Sequence, residues 1–336
     1  MTDVEALWKA LDDDSAAPPG LLLRRVVLPN LDVHLAQERP SRLPGFLVRI
    51  HDKPGLLWKE LRSSQGLDVK VDARPGHDVS LLLTERDSRF HDVFSALISD
   101  LIRGLEALSA QPQDQRTLTL DFLTARITRW QACLQANRDG LSGERAAGLF
   151  GELSTMAALL ESGIEPALAV ERWTGPADAI QDFQFDRLTL EVKASRQTQP
   201  TNVRISSERQ LDSSTHDRLV LIHYALDERS DRNGTTLPEM VQGIRDVLGT
   251  GYAGMSFDDR LVDYGYLDLH APRYSEHSYV IRAVDHLDVR DPMPRIVEKD
   301  LPAGVGKVSY DLALAACEAF RLTPDEVAEL FEGVNA

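Results

Sequence analysis

This 336-residue chain predicts an α/β fold, α+β overall, in which a central mixed sheet is flanked by helices and joined to an N-terminal α+β unit. Three observations carry that prediction. Between 142 and 226 the hydrophobic pattern reads helix, strand, strand, strand, helix start, strand, the order of a compact α/β domain. Between 21 and 84 short β-branched or alternating runs, bounded by Pro, Gly and Asp, precede a helix-period pattern. The polar segment Ser109-Ala-Gln-Pro-Gln-Asp-Gln-Arg116 separates the two. The expected division is an N-terminal α+β domain at 1–112 and a second domain at 113–336 that ends in a helical extension.

Residues 2–12 place Leu7, Trp8 and Leu11 on one face of a short helix, which the breaker-rich run to Gly20 ends. Strands are expected at 21–28, 45–51, 67–71 and 78–84. Over 87–108, Phe90, Phe94, Leu97, Ile98, Leu101 and Leu105 follow a period near 3.6, which predicts a helix. Two further helices are expected at 118–137 and 142–162. Ser142 is the N-cap of the second, and Gly163 stops it. Strands at 167–173, 180–185 and 187–195 come next, then a helix start near Ser206 and a strong strand at 218–226. The remaining expectations are a helix at 237–248, a strand at 279–284 and helices at 308–320 and 324–333.

Composition narrows the class. Hydrophobic content of 43% and charged content of 27% are ordinary for a globular protein. No run approaches the roughly 20 apolar residues that span a bilayer. The acidic start Met1-Thr-Asp-Val-Glu5 is unlike a signal peptide. A cytoplasmic location without membrane association is expected, with Cys133 and Cys317 as buried free thiols. A net charge of −16 excludes general electrostatic coating of nucleic acid. The stretch 186–210 departs from that balance: Arg187, Lys193, Arg196, Arg204 and Arg209 outnumber Asp186, Glu191 and Glu208.

Lys193 lies within that stretch. Lysines make up only seven of the 37 basic residues, and this one closes Glu191-Val-Lys193 on an expected strand. Alternation puts Leu188, Leu190, Val192 and Ala194 on one strand face and Thr189, Glu191 and Lys193 on the other, with Glu191 and Lys193 about 7 Å apart. A hairpin between 180–185 and 187–195 returns Asp182 to the level of Glu191. Asp178, after Gly175-Pro-Ala177, is the rival first carboxylate. Two carboxylates suit Mg²⁺, with Mn²⁺ as a substitute, because a hard ion takes oxygen ligands and leaves positions for water and phosphate. An ammonium beside them can orient water or stabilise charge on a phosphodiester in reaction.

The order Asp182, eight residues, Glu191-Val-Lys193 resembles the PD-(D/E)XK nuclease superfamily. The resemblance extends to Gly148-Leu-Phe-Gly-Glu152-Leu, Trp173-Thr-Gly-Pro176, Glu191-Val-Lys-Ala-Ser195 and Ile205-Ser-Ser-Glu-Arg-Gln210-Leu. Together these resemble a nuclease family of bacterial defence islands, most closely over 141–226. The proline of the superfamily name is missing, because Gln181 precedes Asp182. The resemblance implies a restriction-endonuclease-like core. It makes Asp182, Glu191 and Glu152 metal ligands and Lys193 and Gln210 further catalytic residues, while the local positive balance makes Arg196, Arg204 and Arg209 the candidate phosphate contacts. DNA is the implied substrate, and a helicase, a methyltransferase or a second copy in a homodimer are the implied partners. The alternative is a non-cleaving adaptor of such a system.

Other motifs carry less. Asp68-Val-Lys70 repeats the Asp-x-Lys spacing without a carboxylate-bearing helix before it, and reads as a surface strand. Gly249-Thr-Gly-Tyr-Ala-Gly254 follows a helix rather than a strand, so it reads as a helix C-terminal turn instead of a dinucleotide loop. His223, on the strand at 218–226, reads as structural.

Overall fold

The computed structural model describes residues 4–12, 19–50, 61–64, 66–72, 78–109, 115–136, 139–177, 179–196, 202–231 and 233–335. The chain divides into two compact units, Met1–Arg138 and Asp139–Ala336.

The first unit contains α1 (Val4–Asp12), β1 (Gly20–Val26), β2 (Asp32–Arg39), β3 (Pro44–Ile50), β4 (Leu67–Asp72), β5 (Val79–Glu85), α2 (His91–Ser109) and α3 (Gln115–Ala136). Its strands form one antiparallel sheet in the order β1-β2-β3-β5-β4. The strand β2 has no counterpart in the sequence reading, because Asp32, His34 and Gln37 interrupt its apolar signal. Val33 and Leu35 alternate into the core at 0% exposure, and pairing on both sides holds the strand. The decoy Asp68 sits on the terminal strand β4 and pairs with Lys70 at 3.4 Å and Arg86 at 3.1 Å.

The helix α3 belongs to this first unit, so the division falls after it rather than at 112/113. The cause is a buried polar cluster between α2 and α3. Asp100 accepts from Arg126 Nε at 2.6 Å and from Trp130 Nε1 at 2.7 Å. The polar run at 109–116 therefore joins two paired helices, and its residues 110–114 lie outside the described ones.

The second unit contains α4 (Gly143–Glu161), α5 (Pro166–Arg172), β6 (Phe183–Gln184), β7 (Thr189–Ser195), β8 (Asn202–Ile205), β9 (Leu219–Arg229), β10 (Thr235–Thr236), α6 (Leu237–Leu248), α7 (Tyr252–Tyr264), α8 (Ala271–Tyr274), β11 (Ser278–Asp288), β12 (Tyr310–Ala313) and α9 (Pro324–Glu332). Its main sheet runs β10-β11-β9-β7-β6. The β7–β9 pair is parallel and the others antiparallel, so the sheet is mixed. One face packs Leu188, Leu190 and Val192 with Val220, Ile222 and the α4 residues Leu149, Phe150 and Leu153. The opposite face packs Leu219 and Leu221 against Val203, Ile205, Leu211, Leu312 and Leu314. The strands β8 and β12 pair with each other in this second layer. The result is the expected α+β core with helices flanking a mixed sheet.

Three local expectations are corrected. The segment read as a strand at 167–173 is helix α5, because Pro166 opens it and the Glu165 side chain caps Leu168 N at 2.8 Å. The helix start near Ser206 is a turn, closed by Ser206 N donating to Gln210 Oε1 at 2.7 Å. The helix at 308–320 is instead β12 followed by a 3-10 segment, Leu314–Phe320. Pairing with β8 takes Tyr310–Ala313 into a sheet.

Candidate functional site

The site is built where α4 meets the β6–β7 hairpin. Ser142 caps α4 by accepting from Arg145 N at 3.3 Å. The apolar residues of α4 face the sheet, and Gly151 permits a close approach: a Cβ there would stand 3.3 Å from that of Ala194 and 3.5 Å from Val192 Cγ1. Glu152, the next residue, is carried to the hairpin and is only 7% exposed.

Asp182 is fixed from two sides. Its backbone N donates to Leu190 O at 3.1 Å, and its carbonyl accepts from Thr174 N at 2.7 Å and Gly175 N at 3.1 Å. Phe183 pairs with Leu190, so Asp182 comes level with Glu191 as the hairpin argument expects. Its Oδ2 accepts from Val192 N at 2.7 Å. Its Oδ1 faces Glu152 Oε2 across Gly175: a Cβ on Gly175 would lie 2.7 Å from the glutamate oxygen and 3.0 Å from the aspartate oxygen. The rival Asp178 lies outside the described residues.

Glu191 is 1% exposed. Lys193 Nζ stands 2.7 Å from Glu191 Oε1 as an ion pair, and the Glu191 oxygens have no other partner among the described residues. Lys193 Nζ also donates to Gln210 Oε1 at 3.3 Å. Ser206 N donates to that same oxygen, so the Gln210 amide is oriented with Oε1 inward and its NH₂ group available.

Burial governs the charges. It pushes the Glu152 carboxyl well above the ordinary range, and the Asp182 charge adds to the shift. It also raises Asp182, against the opposing effects of Lys193 and the Val192 N–H. Glu191 is pushed up to about 8 by burial and then by Asp182, with Lys193 opposing. Burial alone would lower Lys193, but the charges of Glu191, Asp182 and Glu152 outweigh it and hold the ammonium protonated. The arrangement is a cluster of three carboxyl groups with one internal cation, Lys193.

The structure thus brings Glu152, Asp182, Glu191, Lys193 and Gln210 together. The three arginines expected to contact phosphate lie outside this cluster, each held by a carboxylate. Arg196 pairs with Glu228 at 2.6 Å, Arg204 with Asp311 at 3.3 Å and Arg209 with Glu298 at 3.2 Å. His223 is buried in the sheet, with Ser195 Oγ 2.7 Å from its Nε2 and Asp285 Oδ2 3.2 Å from its Nδ1.

Sequence reasoning assigned no role to the groups around Glu152. Trp173 Nε1 donates to Glu152 Oε2 at 2.7 Å. The Tyr264 ring stacks on Trp173 from α7, and its hydroxyl donates to Arg145 O at 3.4 Å. Trp173 and Gly175 stand in the Trp173-Thr-Gly-Pro176 motif, which was the available signal. Tyr264 lies far along the chain and gave none.

No helix among the described residues is long and apolar enough to cross a membrane. No curated protein and no solved structure matches the chain. A family model does, over residues 4–315, and its description reads "Putative PD-(D/E)XK family member, (DUF4420)". With nearly the whole sequence spanned, both units included, the chain belongs to this PD-(D/E)XK family.

Proposed function

We propose that this protein is a divalent-metal-dependent endonuclease that hydrolyses phosphodiester bonds in DNA. The observation that carries the reading is the buried Glu191 carboxylate, level with Asp182 and ion-paired with the Lys193 ammonium, with no other partner for its oxygens among the described residues. An ionised carboxylate withdrawn from water costs several kcal/mol unless it is compensated, about the scale at which one cation decides the balance. The donor set fits Mg²⁺, with Mn²⁺ as a substitute: oxygen atoms only, from Asp182, Glu191 and Glu152. Among the described residues no three acidic, His or Cys side chains converge in a ready-made cage. The fit is therefore to an ion that takes one or two carboxylates and keeps its other positions for water and phosphate oxygens.

A bound ion would supply Lewis acidity, polarising the phosphodiester and making water more acidic. The chain's own groups do the rest. The Val192 N–H fixes the rotation of Asp182, leaving Oδ1 on the side of Gly175 and Glu152. The Lys193 ammonium, held protonated, donates toward the phosphate or the attacking water and offsets negative charge that develops there. The Gln210 NH₂ group is a second donor whose direction is set by Lys193 and Ser206.

The resemblance to nucleases of bacterial defence islands supports a wider proposal, in which the protein acts in the cytoplasm within an anti-phage or restriction-type system. A helicase, a methyltransferase or a second copy of the chain are partners of the kind such a system supplies. The paired arginines and the net charge of −16 favour one further reading, an adaptor that engages DNA only through a partner. The test is cleavage of supercoiled, linear, single-stranded and modified DNA with Mg²⁺ or Mn²⁺. Metal-dependent cleavage that Lys193→Ala abolishes is the expected result. The absence of any such activity, with Mn²⁺ binding intact, favours the adaptor and overturns the enzyme.

A further inference from the structure

We propose that Trp173 is a positioning residue for Glu152, a neutral donor that aims its carboxyl group at Asp182. The inference rests on the metal-site reading above and extends it to a residue that touches neither substrate nor ion.

A carboxylate has about four lone-pair directions, and a buried one must find donors or lose its charge. Glu152 has no cation of its own comparable to the Lys193–Glu191 contact at 2.7 Å. Its hydrogen-bond donor among the described residues is the Trp173 indole N–H, at 2.7 Å from Oε2. The Tyr264 phenol donates instead to Arg145 O at 3.4 Å. The indole is locked. Trp173 is fully buried, and its ring contacts Phe257 at 5.8 Å and Tyr264 at 6.4 Å between centroids. Arg145 lies over the Tyr264 ring and donates to Tyr264 O at 2.6 Å. Arg260 bonds the carbonyls of Trp173 and Glu171.

The oxygen that Trp173 holds is the informative one. It is the same Oε2 that a Cβ on Gly175 would meet at 2.7 Å, and the same methyl would meet Asp182 Oδ1 at 3.0 Å. Trp173 therefore fixes the edge of Glu152 that faces Asp182. Because the indole is neutral, it orients the carboxyl group without an opposing charge, and the group can still ionise when a cation binds. A lysine in place of Trp173 would orient the group and neutralise it together.

The test uses the full-length protein and Mn²⁺ alone. Calorimetry compares wild type, Trp173→Phe, Trp173→His and Glu191→Ala. Removal of outer-shell donors typically weakens metal binding about 10–100-fold, and that loss is expected for Trp173→Phe, with part of it recovered by Trp173→His, which keeps a ring N–H. Mn²⁺ should also quench the emission of Trp173 in wild type, a measure of the ion's nearness to Glu152 that needs no variant to fold. Saturating Mn²⁺ that leaves Trp173 unquenched, or an affinity within twofold of wild type in folded Trp173→Phe with Glu191→Ala binding abolished, overturns this inference and leaves the metal site standing. No Mn²⁺ binding by wild type overturns both.

Discussion

Gly175→Ala is the smallest change that should close the candidate metal site. The added methyl would lie 2.7 Å from Glu152 Oε2 and 3.0 Å from Asp182 Oδ1, closer than carbon and oxygen tolerate. A flexible surface carboxylate would swing away at little cost, but these two are held. Displacing Oε2 sacrifices its bond from Trp173 Nε1. Moving the backbone instead strains the Thr174 and Gly175 N–H bonds to Asp182 O. Overpacking of this kind costs about 1–3 kcal/mol, and one weakened bond to a charged group costs about as much. The protein should therefore stay folded, with a modestly lower melting temperature. Metal binding should suffer more, because the methyl occupies the space between two proposed ligands. A loss of about 10–100-fold in Mn²⁺ affinity is expected, the range seen when ligand orientation is disturbed. Calorimetric titration, with a melt in EDTA as the folding control, reads both quantities. A folded Gly175→Ala protein that binds Mn²⁺ as wild type does would refute the assignment of Glu152 and Asp182 to one site.

Two further outcomes follow from the buried charges. Glu191→Gln should stabilise the metal-free protein at neutral pH while destroying Mn²⁺ binding. The wild-type carboxyl, raised to about 8 from an ordinary 4.5, contributes stability that is full below the lower value and lost as pH rises to the upper one. Denaturant melts in EDTA between pH 4.5 and 8 should show that loss in wild type, on the order of a few kcal/mol, and a flatter profile in the variant. Asp100→Ala should destabilise the protein by about 3–5 kcal/mol, because it removes the buried carboxylate to which Arg126 and Trp130 both donate. Burial alone would raise Asp100, but Arg126, Arg103 and Trp130 outweigh it and hold the carboxyl below its usual 3.8, so its contribution persists above that value and fades as pH falls through the folded one. Urea melts of both proteins at pH 7 and pH 3 check this, and an unchanged difference between the two pH values would count against it.

Local rules made the centre of this site legible. Strand alternation alone put Glu191 and Lys193 on one face, and hairpin geometry alone put Asp182 level with them, as the β6–β7 register shows. Glu152 came from its motif on α4 rather than from spacing. What stayed hidden depends on partners distant in sequence. The pairing of α3 with α2 turns on a buried Asp100–Arg126 bond, and polar composition in the intervening loop pointed to a domain boundary instead. The segment 310–313 has a helical pattern, and only its pairing with β8 makes it a strand. The arginines were read by charge alone, yet each is already matched to a carboxylate contributed by another segment.

The same distinction separates the two roles Lys193 could have had. From sequence, a lysine beside a glutamate serves equally as a proton acceptor or as a fixed positive charge, and only its surroundings decide. In the metal-free protein burial, which would free the proton, is outweighed first by Glu191 and then by Asp182 and Glu152. A lysine that keeps its proton can orient and stabilise, which is the role proposed for Lys193 above. Gln210 Oε1 accepts from both Lys193 Nζ and Ser206 N, so the proposed donor surface would extend to the Gln210 amide.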